Sequence, residues 1–420
     1  MVLPIPTDAA VGAIALIALS LGLPSFAILL SRLLKGAKRK DAIAPRQPTP
    51  EMLGTVRIVV PTLNEVQRID PCLIGLTQQS YEVREILVVD SYSEDGTREK
   101  VKAAGEKDPR FRLLTDEPLP SDWVGRPWAL HYGFLSGKAE GRWGDGEMGS
   151  RGSRGAGEQG EQGAKWFLGI DADTQPQAGL VAGLLAVAEA ESYDLISLSP
   201  QFILSYPGEW WLQPALLMTL LYRFDSSGVD ASTPDRVMAN GQCFLCRRAV
   251  LEAVEGYESA KRSFCDDVTL ARHIAAQGYK VGFLDGSRVL RVRMYEGLQE
   301  TWREWGRSLD LKDASSEAQL WGDLGFLLLV QALPIPLSLA GCCLLVLGYH
   351  SISLIAATGF NVFLVLIRFA LLFAIAPSYA RSSSPASWLF WLSPFADPLA
   401  VLRIFLSTVR KPKQWRGRTY

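Results

Sequence analysis

Cysteine is scarce in this sequence, with six in 420 residues, and their spacing builds no disulfide framework. Cys243 and Cys246 form a Cys-x-x-Cys, but no second pair or histidine cluster follows, which argues against zinc. With Cys72, Cys265, Cys342 and Cys343 they read as reduced, mostly buried thiols of a cytosolic domain. An excess of one charge sign is also missing. The formal net charge is −1, so there is no electrostatic footprint for nucleic acid, and none is expected as a partner.

Charge is absent above all from the two ends. Ala9–Leu30 runs for 22 residues without an ionisable group, about 33 Å if helical. A secretory leader does not fit, because the basic cluster (Arg32, Lys35, Lys38, Arg39, Lys40) follows the apolar run and no small-residue cleavage site is evident. Residues 1–31 therefore read as a transmembrane anchor with its N-terminus outside and the next domain in the cytosol. Residues 32–54 read as a basic, proline-bearing linker. At the other end, 311–420 reads as a membrane region. It has spans at 324–349 and 352–376, an interfacial or re-entrant segment at 388–406, and a basic tail (Arg410, Lys411, Lys413, Arg416, Arg418) on the cytosolic side. The expected location is a bacterial cytoplasmic membrane.

The charged middle, 55–310, alternates strand and helix signals. Val56–Val60, Glu85–Val89, Phe111–Leu114, Phe167–Ile170, Asp194–Ser199 and Lys280–Leu284 are short apolar runs, separated by helical stretches such as Leu180–Glu191. Unbroken β-branched runs of this kind predict an α/β domain with a mostly parallel sheet covered on both faces. Ligands of such sheets sit beyond the carboxyl ends of the strands. Here those ends carry Glu65, Asp90 and the pair Asp171/Asp173. Read as i and i+2 on a strand, Asp171 and Asp173 project to one side, and two hard oxygen donors suit Mg²⁺ or Mn²⁺ held together with a diphosphate. The plainer reading is a polar strand end turning into the Pro176 loop. Residues 141–164, with nine glycines among Glu, Arg, Gln and Ser, read as a disordered surface insertion. Trp210-Trp211-Leu212 with Leu216, Leu217 and Leu220 is too short to span, so it reads as an interfacial helix facing the bilayer, with a core helix as the alternative.

Four motifs in order carry a resemblance. They are Val59-Val60-Pro61-Thr62-Leu63-Asn64-Glu65, Val89-Asp90-Ser91-x-Ser93-x-Asp95-Gly96-Thr97, Asp171-Ala172-Asp173, and Asp266-Asp267 ahead of Val268-x-Leu270-Ala271. Over roughly 55–310 the chain resembles a membrane-attached family 2 glycosyltransferase with a GT-A fold, a Rossmann-like nucleotide-sugar-binding sheet. The resemblance implies a UDP- or GDP-sugar donor held by Pro61, Asn64, Glu65, Asp90, Ser91, Asp95, Arg126 and Asp171. Asp90 would meet the base and Asp171 the ribose, with Arg126 at the diphosphate. It further implies a metal on Asp173 and Asp171. Asp267 would be the general base of an inverting transfer, with Asp266 as the alternative; helix capping would also account for that pair.

Polymer-forming members carry Gln-x-x-Arg-Trp after the base. Gln299-Glu-Thr-Trp302-Arg303-Glu-Trp305 matches it only loosely, so transfer of one hexose to a membrane lipid is expected instead. The Trp123-x-Gly125-Arg126-Pro127-Trp128-Ala129 loop and the ending Trp415-Arg416-Gly417-Arg418-x-Tyr420 are similar to bacterial enzymes of carotenoid or hopanoid glycosylation. A polyprenyl-phosphate sugar transferase, a nucleotidyltransferase and a non-enzymatic membrane scaffold stay open as alternatives.

Overall fold

The computed structural model describes residues 7–140, 163–308, 311–312, 314–380, 384–409, 414–415 and 418–419. The glycine-rich insertion expected at 141–164 lies almost wholly outside these residues, as does most of the basic tail. The chain divides into a sheet unit (Lys40–Gln201, Asp230–Arg293, Gln414–Tyr420) and a helical unit (Met1–Arg39, Phe202–Val229, Met294–Lys413).

The sheet unit is built on strands β1 (Val56–Thr62), β2 (Val83–Asp90), β3 (Phe111–Thr115), β4 (Trp166–Ile170), β6 (Leu195–Ser199), β8 (Cys243–Arg247) and β9 (Val281–Asp285), in the order β3-β2-β1-β4-β8-β6-β9. The short strands β5 (Thr174–Pro176), β7 (Gln201–Phe202) and β10 (Leu290–Val292) form a second ladder, β5-β10-β7. Ile58, Val60, Ile86, Val88, Leu168 and Ile170 pack on one face beneath the helices Asp70–Thr77, Thr97–Lys107 and Leu180–Ala190. Val59, Leu87, Val89 and Phe167 pack on the other beneath Gly125–Glu140 and Asp266–Ala276. Alternating side chains thus enter two cores, which is why Ile58–Val60, Ile86–Val89 and Phe167–Ile170 contain no polar positions. Each fully buried Val, Ile or Leu contributes about 1.5–3 kcal/mol.

β1 pairs in parallel with β2 and β4, and β2 with β3. The sheet is mostly parallel, as expected, but β8 runs antiparallel between β4 and β6. Ile170 at the end of β4 lies opposite Cys243 at the start of β8. The loop entering β8 therefore arrives at the edge where β1, β2 and β4 end. Neighbouring strands are about 4.8 Å apart, so the ends of β2 and β4, flanking β1, lie about 10 Å apart.

Two boundaries differ from expectation. Residues 32–54 are not a free linker: Arg32–Lys35 complete the first helix, Ile43 is buried in the sheet core, and the Ile43 N–H donates to the Asp285 carbonyl (2.8 Å). The domain expected over 55–310 is interrupted, since 202–229 and everything from Met294 to Lys413 belong to the helical unit.

In that unit the Trp210-Trp211 stretch lies on the helix Pro207–Arg223 and is a core helix, not an interfacial one. Trp210 is buried beside Tyr379 and Phe390 (ring centroids 6.4 and 6.5 Å), and Leu212, Ala215, Leu216 and Met218 are buried with it. Among the described residues three helices are long and apolar enough to cross a membrane: Asp8–Lys38, Ile352–Ser378 and Ser387–Val409. The expected span 324–349 falls on a pair of helices, Glu317–Ala332 and Pro334–Val346, bent by 48°, the geometry of a broken span or of a re-entrant loop. Pro334 and Pro336 lack the N–H groups a continuous helix needs there. Conversely, 388–406, expected to be interfacial or re-entrant, lies in a helix with spanning length. Arg368 and Asp397 meet in this unit as a two-pronged ion pair (2.7 and 3.0 Å), both buried, with Gln331 Nε2 donating to Asp397 Oδ1 (3.1 Å).

Candidate active site

The site is built at the carboxyl edge of β2-β1-β4. The loops after β1 and β2 are stitched together by backbone-to-side-chain bonds. The Asn64 N–H donates to Ser93 Oγ (2.9 Å), Glu94 N–H to Asn64 Oδ1 (3.0 Å), Val66 N–H to Asp95 Oδ2 (2.9 Å) and Glu65 N–H to Thr97 Oγ1 (2.8 Å). Asn64 and Tyr92 take left-handed backbone conformations (φ 55° and 63°), which Asn tolerates and Tyr rarely adopts. Asn64 and Asp95, expected at the donor, therefore shape these loops. Ser91 donates to Asp116 Oδ2 (2.7 Å) and is likewise a loop fastening.

Asp90 is wholly buried at the end of β2. Its carboxylate accepts from the Ser93 N–H (3.0 Å) and Thr62 Oγ1 (3.3 Å), with Arg98 at 3.9 Å. Pro61 lies in β1, next to Thr62.

β4 ends at Ile170, so strand alternation does not place the Asp171/Asp173 pair as expected. The chain turns through Ala172 and Asp173, and Thr174 closes the turn by donating Oγ1–H (2.7 Å) and N–H (3.2 Å) to the Asp171 carbonyl. Burial pushes the Cys72 thiol beneath this turn up to about 12, and the negative charges of Asp173, Asp171 and Glu65 add to the shift. The Cys72 Sγ donates to the Asp171 carbonyl (3.6 Å) and accepts from Thr174 Oγ1 (3.7 Å).

Arg126, at the start of the Gly125–Glu140 helix, ties this turn to the remaining acids. Its Nε donates to Asp171 Oδ1 (2.9 Å), its Nη1 to Asp266 Oδ2 and its Nη2 to the Gly241 carbonyl (2.7 Å). The Gly241 N–H in turn donates to Asp267 Oδ2 (2.6 Å), while Val268 N–H caps Oδ1 (2.9 Å). Asp266 and Asp267 open the Asp266–Ala276 helix, where its N-terminal dipole favours negative charge. Burial nevertheless lifts Asp266 to about 7; Arg126 opposes the rise and Asp267 adds to it. Asp267 is also raised, by burial first. Burial alone would lower the Arg126 pKa, but the charges of Asp171, Asp266 and Asp267 hold it protonated.

Arg126 thus joins Asp171 and Asp266 directly and Asp267 through Gly241, while Asp90 is a strand away. The residues that sequence reasoning missed are Asn240, Gly241 and Gln242. Their signal was an Asn-Gly turn dipeptide immediately before an apolar run. Among the described residues no three His, Cys, Asp or Glu side chains converge as a metal cage. The remaining donor set, two carboxylates on one turn, fits a cation that takes the rest of its shell from phosphates and water.

Residues 57–134 match the family described as glycosyl transferase family 2. A curated relative, 4,4'-diaponeurosporenoate glycosyltransferase of Staphylococcus haemolyticus, is 21% identical over 271 residues, which is 64% of this chain and 65% of the relative's length. A solved structure, mannosyltransferase PcManGT from Pyrobaculum calidifontis in complex with GDP-Man and Mn²⁺, superimposes with a TM-score of 0.50 at 18% identity, covering 94% of this chain and 98% of that one. The chain thus has a GT-A-like mixed α/β fold whose residues 57–134 are similar to glycosyl transferase family 2, flanked in sequence by helices able to cross a membrane.

Proposed function

We propose that this chain is a metal-dependent, inverting glycosyltransferase that moves one hexose from a UDP- or GDP-sugar to a hydroxyl of a membrane lipid, with a carotenoid as the leading candidate. The observation that carries the reading is the joining of Asp171, Asp266 and Asp267 through Arg126 and Gly241 at the edge where β1, β2 and β4 end. An enzyme has reason to gather like charges there, because a base needs a raised pKa.

Asp90 accepts hydrogen bonds from the nucleobase edge, and Glu65 and Asp171 face the nucleoside. Asp171 and Asp173 would hold Mg²⁺ or Mn²⁺, which when bound neutralises charge on the departing nucleoside diphosphate. Asp267 takes the proton of the acceptor hydroxyl as its oxygen attacks the anomeric carbon; the bond to the diphosphate oxygen breaks on the opposite side, inverting the centre. The GDP-mannose and Mn²⁺ of the structural neighbour support this donor class.

A membrane setting suits an acceptor that never leaves the bilayer. Crossings at 8–38, 352–378 and 387–409, with the bent pair re-entrant, put the sheet unit and the basic tail on the cytosolic side. A second reading comes from the relative's name, which denotes a carboxylate acceptor. A carboxylate attacks without losing a proton, so Asp267 would be dispensable. The deciding experiment is lipid extraction from a deletion strain with mass analysis. Loss of a hexose from one lipid species supports the proposal; an unchanged lipid profile defeats it.

A further inference from the structure

Arg126 stands where the resemblance implies a diphosphate ligand, yet all three of its nitrogens donate to the protein. We infer that Arg126 is a positioning residue for the proton acceptor, acting through the two faces of Gly241, and not a holder of the diphosphate. This rests on Asp267 being that acceptor. The Gly241 carbonyl receives the guanidinium (2.7 Å) while the Gly241 N–H grips Asp267 Oδ2 (2.6 Å), so a shift of Arg126 is passed to Asp267 along three backbone atoms. The other prong of the fork holds Asp266, the neighbour of Asp267 on the same helical turn.

The loop is stiff enough to transmit such a shift. The Asn240 N–H donates to Ser197 Oγ on β6 (2.7 Å), and the Asn240 and Gln242 side chains close on each other, Gln242 N–H to Asn240 Oδ1 (3.0 Å) and Asn240 Nδ2 to Gln242 Oε1 (3.1 Å). Glycine is required at 241 by this contact and not by its backbone angle. A Cβ there would lie 2.7 Å from Arg126 Cζ and 2.9 Å from Nη1. The guanidinium therefore lies close against the Cα of the residue it holds.

A point charge cannot replace a fork that reaches three acceptors in different directions. Arg126→Lys would still serve a diphosphate, whereas the positioning role needs the guanidinium. The test is release of nucleoside diphosphate from GDP-mannose and from UDP-glucose with Mn²⁺, with water as acceptor, alongside calorimetric binding of GDP and UDP with Mn²⁺. In this hydrolysis the water oxygen bonds to the anomeric carbon, its proton passes to Asp267 and the nucleoside diphosphate leaves.

Arg126→Lys and Gly241→Ala should each lower kcat about 10–100-fold, the loss expected for a group displaced by about 1 Å, with nucleotide Kd within about twofold. The double variant should be no slower than the slower single, because both act on one linkage. A wild-type rate for Arg126→Lys with a tenfold weaker nucleotide Kd for Arg126→Ala would overturn the inference. So would multiplicative losses in the double. If Gly241→Ala does not fold, the Lys and Ala variants of Arg126 decide alone. A wild-type protein that neither binds nor hydrolyses either donor would instead defeat the glycosyltransferase reading beneath it.

Discussion

Gly133→Ala tests how the helix carrying Arg126 is seated. Gly133 lies seven residues beyond Arg126 on the Gly125–Glu140 helix, about 10 Å along its axis. A Cβ at Gly133 would fall 2.5 Å from Val59 Cγ1 and 3.1 Å from Val89 Cγ2, on β1 and β2. Carbon atoms rest at about 3.5–4.0 Å, so the helix must retreat from the sheet by about 1 Å or Val59 must leave its rotamer. Overpacking of this kind costs about 1–3 kcal/mol, and the better helix propensity of alanine offsets about 1 kcal/mol of it.

The effect on activity should exceed the effect on stability. A retreat of about 1 Å stretches the 2.9 Å bond from Arg126 to Asp171 beyond hydrogen-bonding range. Thermal unfolding in detergent and donor hydrolysis, measured side by side, should show a small fall in Tm and at least about a tenfold fall in kcat. Adding Val59→Ala vacates the space the new methyl needs and should restore much of the rate, though not the stability. A Gly133→Ala protein that melts higher than wild type at full activity would refute this seating of the helix.

Asp173→Ala should abolish Mn²⁺-dependent binding of GDP and UDP in calorimetry while leaving Tm unchanged; retained binding would remove Asp173 from the metal's shell. Asp267→Asn keeps an oxygen for the Gly241 N–H but cannot take a proton, so transfer to a hydroxyl should fall about 10²–10⁴-fold. Near-normal turnover with a carboxylate or phosphate acceptor would favour the second reading or a polyprenyl-phosphate acceptor. In the helical unit, Arg368→Met strands a buried Asp397 and should destabilise by about 3–5 kcal/mol, while Arg368→Met with Asp397→Leu should recover most of it. Equal melting of the single and double variants would show that the pair is not buried as described.

The strands of the sheet unit were legible because both of its faces are covered, and a two-sided core leaves runs that are almost wholly apolar. Val56–Val60 and Phe167–Ile170 appear close to where the sequence puts them. The acids at strand ends were legible for the same reason, each standing where an apolar run stops. Strand direction was not. Cys243–Arg247 reads the same in either sense, and only its antiparallel course brings Gly241 to Asp171 and Asp267. The partners of Arg126 were equally hidden, since Asp266 lies 140 residues away and nothing local marks the contact. Trp210 misled because an indole at a lipid boundary and an indole packed against Tyr379 and Phe390 have the same sequence neighbours. The order of the membrane segments misled through Pro334 and Pro336, which do not change apolarity but do end helices.

The polypeptide passes between its two units at 39/40, 201/202, 229/230, 293/294 and 413/414. Trimming the termini therefore cannot deliver the sheet unit as a water-soluble fragment: a piece cut at 40 and 293 keeps Pro207–Arg223, whose Trp210, Leu212 and Leu216 would lose the aromatic and helical neighbours that now cover them. Expression trials should expect such fragments to aggregate, and biochemistry on this protein should begin from the whole chain in detergent or lipid nanodiscs.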